Sequence, residues 1–273
     1  MKTLKISLSL LLLLSSTITR AQCEVENTAF ESGERLQYEL FFNWKFVWMH
    51  AGRASLTTTS THWTDGSEAY QSRLVTKTSG MVDKHFVMRD TLLSVVSQKL
   101  VPLYYKKSAN EGGKYYVDQV WYTYSGGTTH LRQQYLNRKG VTSHTSADRK
   151  DCIYDMLSMM LRARSYKASD FALGQKLLFP MADGRSVDDV TLVYRGRKNF
   201  KMKSTGVTYR CLVFSFVEYE KKKKEKEIIT FYISDDDNHM PVRLDLFLKF
   251  GTAKAYLTKA DGLRNPCTSI IEK

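Results

Sequence analysis

The feature that most constrains this chain is a succession of short runs with the two-residue period of a β-strand, each closed by a turn signal. Leu36-Gln37-Tyr38-Glu39-Leu40-Phe41-Phe42, Tyr70 to Val75, Tyr115 to Tyr122 and Arg243 to Phe250 are rich in aromatic and β-branched residues and partly alternate. Between such runs stand Asn110-Glu111-Gly112-Gly113, Ser125-Gly126-Gly127, Ala182-Asp183-Gly184, Asp235-Asp236-Asp237-Asn238 and Asp261-Gly262. Their Gly, Asn and Asp residues tolerate the backbone angles that tight turns need. The pattern predicts an antiparallel meander and excludes a doubly wound nucleotide-binding fold, in which strands alternate with helices. With 42% hydrophobic and 12% aromatic residues the chain has ample material for a core, so disorder is excluded as its main state.

One helix is expected. Ile153, Met156, Leu157, Met160 and Leu161 fall at helical spacing and form one apolar stripe, with Ser146 or Asp148 as candidate caps. The expected architecture is therefore mainly β: a curled antiparallel sheet or half-barrel packed around one central helix. Asp155, Ser158 and Arg162 share another face of that helix. There a carboxylate and a guanidinium can bracket a polar ligand, which makes these three the candidate ligand-binding set. The same residues can instead tie the helix to a sheet edge.

The first segment has the marks of an export signal. Lys2 and Lys5 precede the apolar run Leu8 to Leu14, and Thr19-Arg20-Ala21 resembles a small-x-small cleavage site. Residues 1–21 are expected to be a signal peptide and residues 22–273 one β-rich domain. Gln22 before Cys23 does not suit lipid attachment, and no later stretch has the roughly 20 apolar residues of a membrane-spanning helix. A periplasmic or secreted location follows as the expectation.

Export narrows the meaning of charge and cysteine. The formal charge is +13, of which Lys2, Lys5 and Arg20 lie in the leader. Part of the rest is the cluster Lys221-Lys222-Lys223-Lys224-Glu225-Lys226-Glu227, between the strand-like runs Leu212 to Val217 and Ile228 to Ile233. As a hairpin tip it either keeps the edge soluble or meets an anionic glycan or membrane surface; nucleic acid is not an expected partner. Cys23, Cys152, Cys211 and Cys267 allow three disulfide pairings. The positions of Cys23 and Cys267 near the two ends favour that bond, which would pin both termini.

The search for chemistry is mostly negative. GxSxG, HExxH and GxxxxGK[ST] motifs are absent, and none of the six histidines stands at metal-ligand spacing from another histidine or a cysteine. No metal or cofactor is expected. The acidic run Asp235 to Asp237 lacks the spacing of a calcium loop and reads as a turn ended by Pro241. A lyase or glycosidase can assemble a site from Tyr, His, Arg and carboxylates on separate strands with no local motif. Trp44, Trp48, Trp63 and Trp121 can stack on sugars or line a cavity, or serve the core.

Three stretches carry a resemblance. Glu31 to Tyr38 followed by Ala51-Gly52-Arg53-Ala54-Ser55-Leu56, then Asp155-Met156-Leu157-Ser158 with Leu161-Arg162, then Phe231 to Val242 leading to Phe250-Gly251-Thr252-Ala253-Lys254-Ala255, resemble the exported bacterial family called domain of unknown function 3108. The resemblance implies a curled sheet around a helix, similar in outline to periplasmic lipoprotein carriers, and no established reaction. The lysine-rich tip is not a feature of that resemblance. The leading expectation is an exported binding or carrier protein for a lipid or a glycan, with catalysis not favoured. A carbohydrate-active enzyme (polysaccharide lyase or glycosidase) or an envelope structural or assembly protein stands as the alternative.

Overall fold

The alternating runs pair into one continuous sheet. The structure, a computed structural model, describes residues 23–44, 47–202, 205–219, 225–248 and 251–272. The expected leader and Lys221 to Lys224 lie outside the described residues.

From the middle of the sheet, β1 (Arg35–Trp44), β2 (Val47–His62), β3 (Glu68–Thr78), β4 (Met88–Ser97), β5 (Pro102–Glu111), β6 (Lys114–Ser125), β7 (Thr128–Leu136) and β8 (Thr142–Arg149) meander to one edge, with the short helix α1 (Gly80–Asp83) between β3 and β4. The chain then passes through helix α2 (Met156–Arg164) to the opposite edge. From there β9 (Lys176–Ala182), β10 (Val187–Lys201), β11 (Thr208–Tyr219), β12 (Glu225–Ser234), β13 (Pro241–Leu248) and β14 (Gly251–Asp261) meander back until β14 pairs with β1. A last strand, β15 (Ile270–Glu272), pairs with β11. The expected mainly-β fold, a curled antiparallel sheet around a helix, is what the chain adopts.

The curl can be read from one ring pair. Phe200 in β10 and Tyr256 in β14 stack with centroids 6.0 Å apart, although β11, β12 and β13 lie between their strands. On a flat sheet four strand spacings amount to about 19 Å. The bend in β10 falls at Gly196, whose φ of +90° sits inside the register shift between Tyr194 and Arg197. A bulge of this kind adds local twist, and glycine alone takes that angle without strain.

The free edges β8 and β9 meet along a seam that side chains close. Arg149 reaches Asp189 at 3.3 Å, Thr145 Oγ1 donates to the Arg185 carbonyl at 3.2 Å, and Gly184 N donates to Gln133 Oε1 at 3.1 Å. Arg185 adds a paired hydrogen bond to Asp118 (2.9 and 3.2 Å) and lies 3.9 Å over the Tyr135 ring. Backbone contributes one parallel bridge between Tyr154 and Met181. The sheet is thus barrel-like without a complete ladder.

Helix α2 lies inside the curl and faces apolar side chains in several directions. Leu157 joins Leu36, Tyr38, Leu56 and Tyr122; Leu161 joins Phe30, Val96 and Leu100; Met159 joins Tyr154, Phe179 and Leu192. Each fully buried Leu contributes about 1.5–3 kcal/mol. The helix starts later than the apolar stripe suggests. Ser146 and Asp148 belong to β8, Ile153 lies ahead of the helix, and Asp155 is the cap. Asp155 accepts from Leu157 N and Ser158 N at 2.9 Å each, while Ser158 Oγ accepts from Asp155 N, a capping box.

The disulfide differs from the expected Cys23–Cys267 bond. Cys23 is bonded to Cys152, with Cα atoms 5.4 Å apart, and Cys211 and Cys267 are free. The N-terminal segment runs beside the β4–β5 turn, where Val25 N donates to the Lys99 carbonyl, and reaches α2, where Arg162 donates to the Cys23 carbonyl. That route carries Cys23 to Cys152, just before the helix. Cys267 lies near Ser269 in the segment before β15. The bond pins the N-terminus to the helix approach, not to the C-terminus.

Candidate functional site

The expected ligand-binding residues divide into two groups. Asp155 and Ser158 are fully buried and bonded to each other and to the sheet, since Ser94 Oγ on β4 donates to Asp155 at 2.9 Å. Burial pushes the Asp155 carboxyl up to about 6, while hydrogen bonds from Ser158, Ser94 and Leu157 pull it down. These two side chains anchor the helix, as a tie to a sheet strand would require. Arg162 is not joined to them. Its Nε donates to Tyr166 Oη at 2.8 Å and its Nη1 to the Cys23 carbonyl at 2.6 Å.

Arg162 instead lines a surface cleft of about 470 Å³. The cleft lies at the seam, where the end of β8, the approach to α2 and the middle of β9 converge. Its walls include Arg149, Tyr154, Arg162, Tyr166, Phe179 and Asp189. The Arg162 guanidinium sits 5.3 Å from the Tyr154 ring centroid and 5.9 Å from that of Tyr166, which holds this flexible cation in place. Arg149 lies between Asp151 at 3.2 Å and Asp189 at 3.3 Å. Burial pushes the Tyr154 hydroxyl up to about 12, against the nearby Arg162 charge that lowers it.

The geometry explains why the cleft follows from the tertiary fold. Tyr154 N donates to Pro180 O and Ala182 N donates to Tyr154 O, so the extended residues before α2 are bound to the β9 edge. The Cys23–Cys152 bond fixes their other side. Sequence reasoning found Arg162 but missed Arg149, Tyr154, Tyr166, Phe179 and Asp189. The signal available was the cluster of Arg, Asp and Tyr between Arg149 and Tyr166, a polar and aromatic stretch around a disulfide cysteine. What sequence did not show is that β9 returns to it from the far edge.

The other histidines and tryptophans do not gather in the cleft. His130 bonds Asp148 and Ser125 on β6–β8, and His239 Nδ1 bonds the Arg164 carbonyl. Trp121 packs on Tyr104 and under Arg132, and Trp48 lies at the opposite side of the sheet under Lys254. Among the described residues no group of three His, Cys, Asp or Glu is placed to hold a metal ion, and no helix is long and apolar enough to cross a membrane.

Comparison with known proteins agrees with the fold. A crystal structure titled as a beta-barrel-like protein of domain of unknown function DUF1849 from Brucella abortus superposes with a TM-score of 0.50 at 11% identity, covering 87% of this chain and 100% of that one. At that identity the likeness speaks for the fold alone. No curated protein matches the chain. The family model described as "Protein of unknown function (DUF3108)" matches residues 37–258, from β1 to β14, and the chain belongs to that family.

Proposed function

We propose that this is an exported binding protein of the bacterial envelope that takes an anionic glycan in the seam cleft. The observation that carries the reading is Arg162, held between Tyr154 and Tyr166 on the wall of an open cleft of about 470 Å³. A sugar ring stacks on aromatic faces, and a uronic-acid carboxylate pairs with a guanidinium. Arg149 stands on the same wall, its charge shared with Asp151 and Asp189, and can offer the N–H groups those carboxylates leave open. A disulfide in the fold and the leader-like first residues support export.

Two features favour binding a glycan over the alternatives. An acyl chain carried inside the curl needs a continuous apolar cavity, and that space is filled by Leu157, Leu161 and their neighbours. A lyase needs a side chain ready to take a proton near neutral pH. Tyr154, with its hydroxyl proton held to about 12, is poorly suited to that role.

The test is calorimetric titration of residues 22–273 with uronic-acid oligosaccharides and with neutral ones of equal length. Saturable binding of the acidic series is expected, weakened about tenfold or more in Arg162→Met, in line with losing a charged hydrogen bond. Because Arg162 also holds the N-terminal segment, Arg149→Ala serves as a second variant at a position that carries no core contact. Absence of binding, or binding that neither variant changes, would overturn the reading.

A further inference from the structure

The cleft at the seam has one wall whose chemistry lies in the backbone, the outer edge of β9. Tyr194 N donates to the Gln175 carbonyl, and in an antiparallel pair every second residue continues that parity. Leu177, Phe179 and Met181 therefore give their backbone groups to β10, while Lys176, Leu178, Pro180 and Ala182 direct theirs away from it. The bonds of Tyr154 agree, since they run to the Pro180 carbonyl and the Ala182 N–H. Ahead of Tyr154 the chain parts from β9 through Cys152 and Asp151, and the cleft opens between them. Leu178 lines that opening with 71% of its surface exposed. Its outward N–H and carbonyl have no protein partner among the described residues. Strand-edge groups in this state are a template for pairing with another chain.

The free edge is short. At one end Pro180 has no N–H and its carbonyl is taken by Tyr154, so pairing stops there. At the other end β9 begins at Lys176. About two or three residues of an incoming chain fit along it, where an ordinary strand has about five or six. An added protein strand is thus a poor occupant, and a peptide of a few residues is a good one. The same cleft is lined by Arg162, whose guanidinium suits a carboxylate, and by the Tyr166 ring. A space of about 470 Å³ therefore offers peptide-pairing groups, a carboxylate receptor and an aromatic surface together.

We propose that the glycan taken by this cleft bears short peptide stems, and that a stem pairs with Leu178 as a minimal β-bridge. The proposal rests on the cleft being the anionic-glycan site and names the class of glycan. A stem residue gives its N–H to the Leu178 carbonyl and accepts from the Leu178 N–H, the reciprocal pair of an antiparallel bridge. The stem's free carboxylate meets Arg162, and the sugar at its root lies against the aromatic wall. A plain polyuronate leaves the Leu178 backbone groups unpaired. A plain peptide leaves the aromatic surface open. A peptide-bearing glycan uses all three features of the cleft.

The experiment is titration of residues 22–273, followed by calorimetry and by hydrogen exchange at the Leu178 amide. The probes are an N-acetylated disaccharide carrying a short acidic peptide, the same disaccharide without it, and the peptide alone. The full probe is expected to bind about tenfold or more tighter than either part, and to slow exchange at Leu178. Leu178→Pro deletes the outward N–H and spares the β10 ladder, because an edge strand accepts proline where the N–H faces solvent. It should lower the affinity for the full probe about tenfold, while uronic-acid oligosaccharides bind it as they bind the wild type. If that variant melts early, protection of Leu178 in the wild type decides alone. Equal affinity for the full probe and the bare disaccharide, or unchanged Leu178 exchange at saturation, would overturn the proposal. So would full affinity for the peptide alone, which marks a peptide site. Uronic-acid binding that persists beside either result leaves the glycan reading standing, so the two failures are told apart.

Discussion

The two rims of this sheet are built from the same kind of hairpin, yet one is sealed by the chain's ends and helix α2, while the other leaves an arc of apolar side chains, Val47, Trp48, Phe247 and Leu248, exposed. At the sealed rim the C-terminal end of α2 delivers Arg164 to Glu34, just ahead of β1, in a paired contact with both distances 2.6 Å and both side chains at most 2% exposed. The same guanidinium donates to the Asn238 carbonyl at 2.9 and 3.0 Å and lies 5.4 Å from the Phe30 ring centroid. Asp236 accepts from Ser234 Oγ, Asn238 N and Ser269 N, and the Asn238 amide donates to the Asn265 carbonyl. Both terminal segments are thereby bonded across the turn at 235–240. Among the described residues no such polar covering lies over Trp48, Val47 and Leu248. The difference teaches that the chain's ends and its helix close one side of the curled sheet, which no local pattern of the strands themselves would achieve.

The largest expected effect tests the sealed rim. Glu34→Ala leaves the Arg164 charge buried with one neutral carbonyl partner, and should destabilise the fold by about 3–5 kcal/mol, read by urea unfolding. Glu34→Gln should recover part of that loss, because an amide oxygen still accepts one N–H. An effect under about 1 kcal/mol for Glu34→Ala would mean that the pair is open to water and that the contrast between the rims is false.

Next in size is the covalent link. Cys152→Ser opens a bond that spans 129 residues, and should cost about 2–5 kcal/mol. It should also release the N-terminal segment, so proteolysis near Cys23 should quicken. Mass mapping of the unreduced protein checks the pairing itself, and a peptide joining Cys23 to Cys267 would refute it.

The seam comes third. Gly184 has φ +101°, and a Cβ there would meet Asp118 Cβ at 2.6 Å. Gly184→Ala should therefore destabilise by about 1–3 kcal/mol through clash and backbone strain. Hydrogen exchange should rise first in β8 and β9, the two edge strands that have no ladder between them among the described residues. Uniform exchange across the sheet would show that the seam is no weaker than a ladder.

How much of this was legible depends on which interactions set each feature. The strands were visible because alternation and turn residues are local: Tyr115 to Tyr122 falls in β6, and Ser125-Gly126-Gly127 in its turn. The helix was visible but displaced, since Ile153 has the right spacing and hydropathy, yet the next residue, Tyr154, gives its backbone bonds to β9. Arg164 falls seven residues after Leu157 on the inward face, where its charge argues for solvent unless Glu34, far away in sequence, answers it. Cysteine pairing depended on the path of the segment from Cys23 to β1, which no local pattern encodes. Of the expected site residues, Asp155 proved to be the helix cap, a role the apolar stripe, begun at Ile153, had assigned to Ser146 or Asp148. Arg162 has its aromatic neighbours Tyr154 and Tyr166 close by in sequence, but the Phe179 wall of its cleft came only with β9, arriving from the other edge.

The smallest expected effect sharpens the comparison by pH. The folded-state carboxyl of Asp155 sits at about 6, above its ordinary value of 3.8, because burial disfavours its charge. The folded protein therefore binds a proton more tightly than the unfolded chain does between roughly pH 4 and 6. Through this group, stability rises as pH falls across that window, by an amount on the order of 1–3 kcal/mol. Asp90, also pushed up to about 6 by burial and by the neighbouring Glu111 charge, acts with the same sign. Asp155→Asn keeps an oxygen for the helix cap and removes the titration. Its melting temperature should therefore vary less with pH between 4 and 6 than that of the wild type, while the slope due to Asp90 remains. A Trp48→Ser/Phe247→Ser protein, altered only on the bare rim, should keep the full wild-type profile and melt within the shift set by about 0.5 kcal/mol. If the rim variant lost the profile and Asp155→Asn kept it, the buried helix anchor and the exposed rim would have exchanged the roles their surroundings assign them.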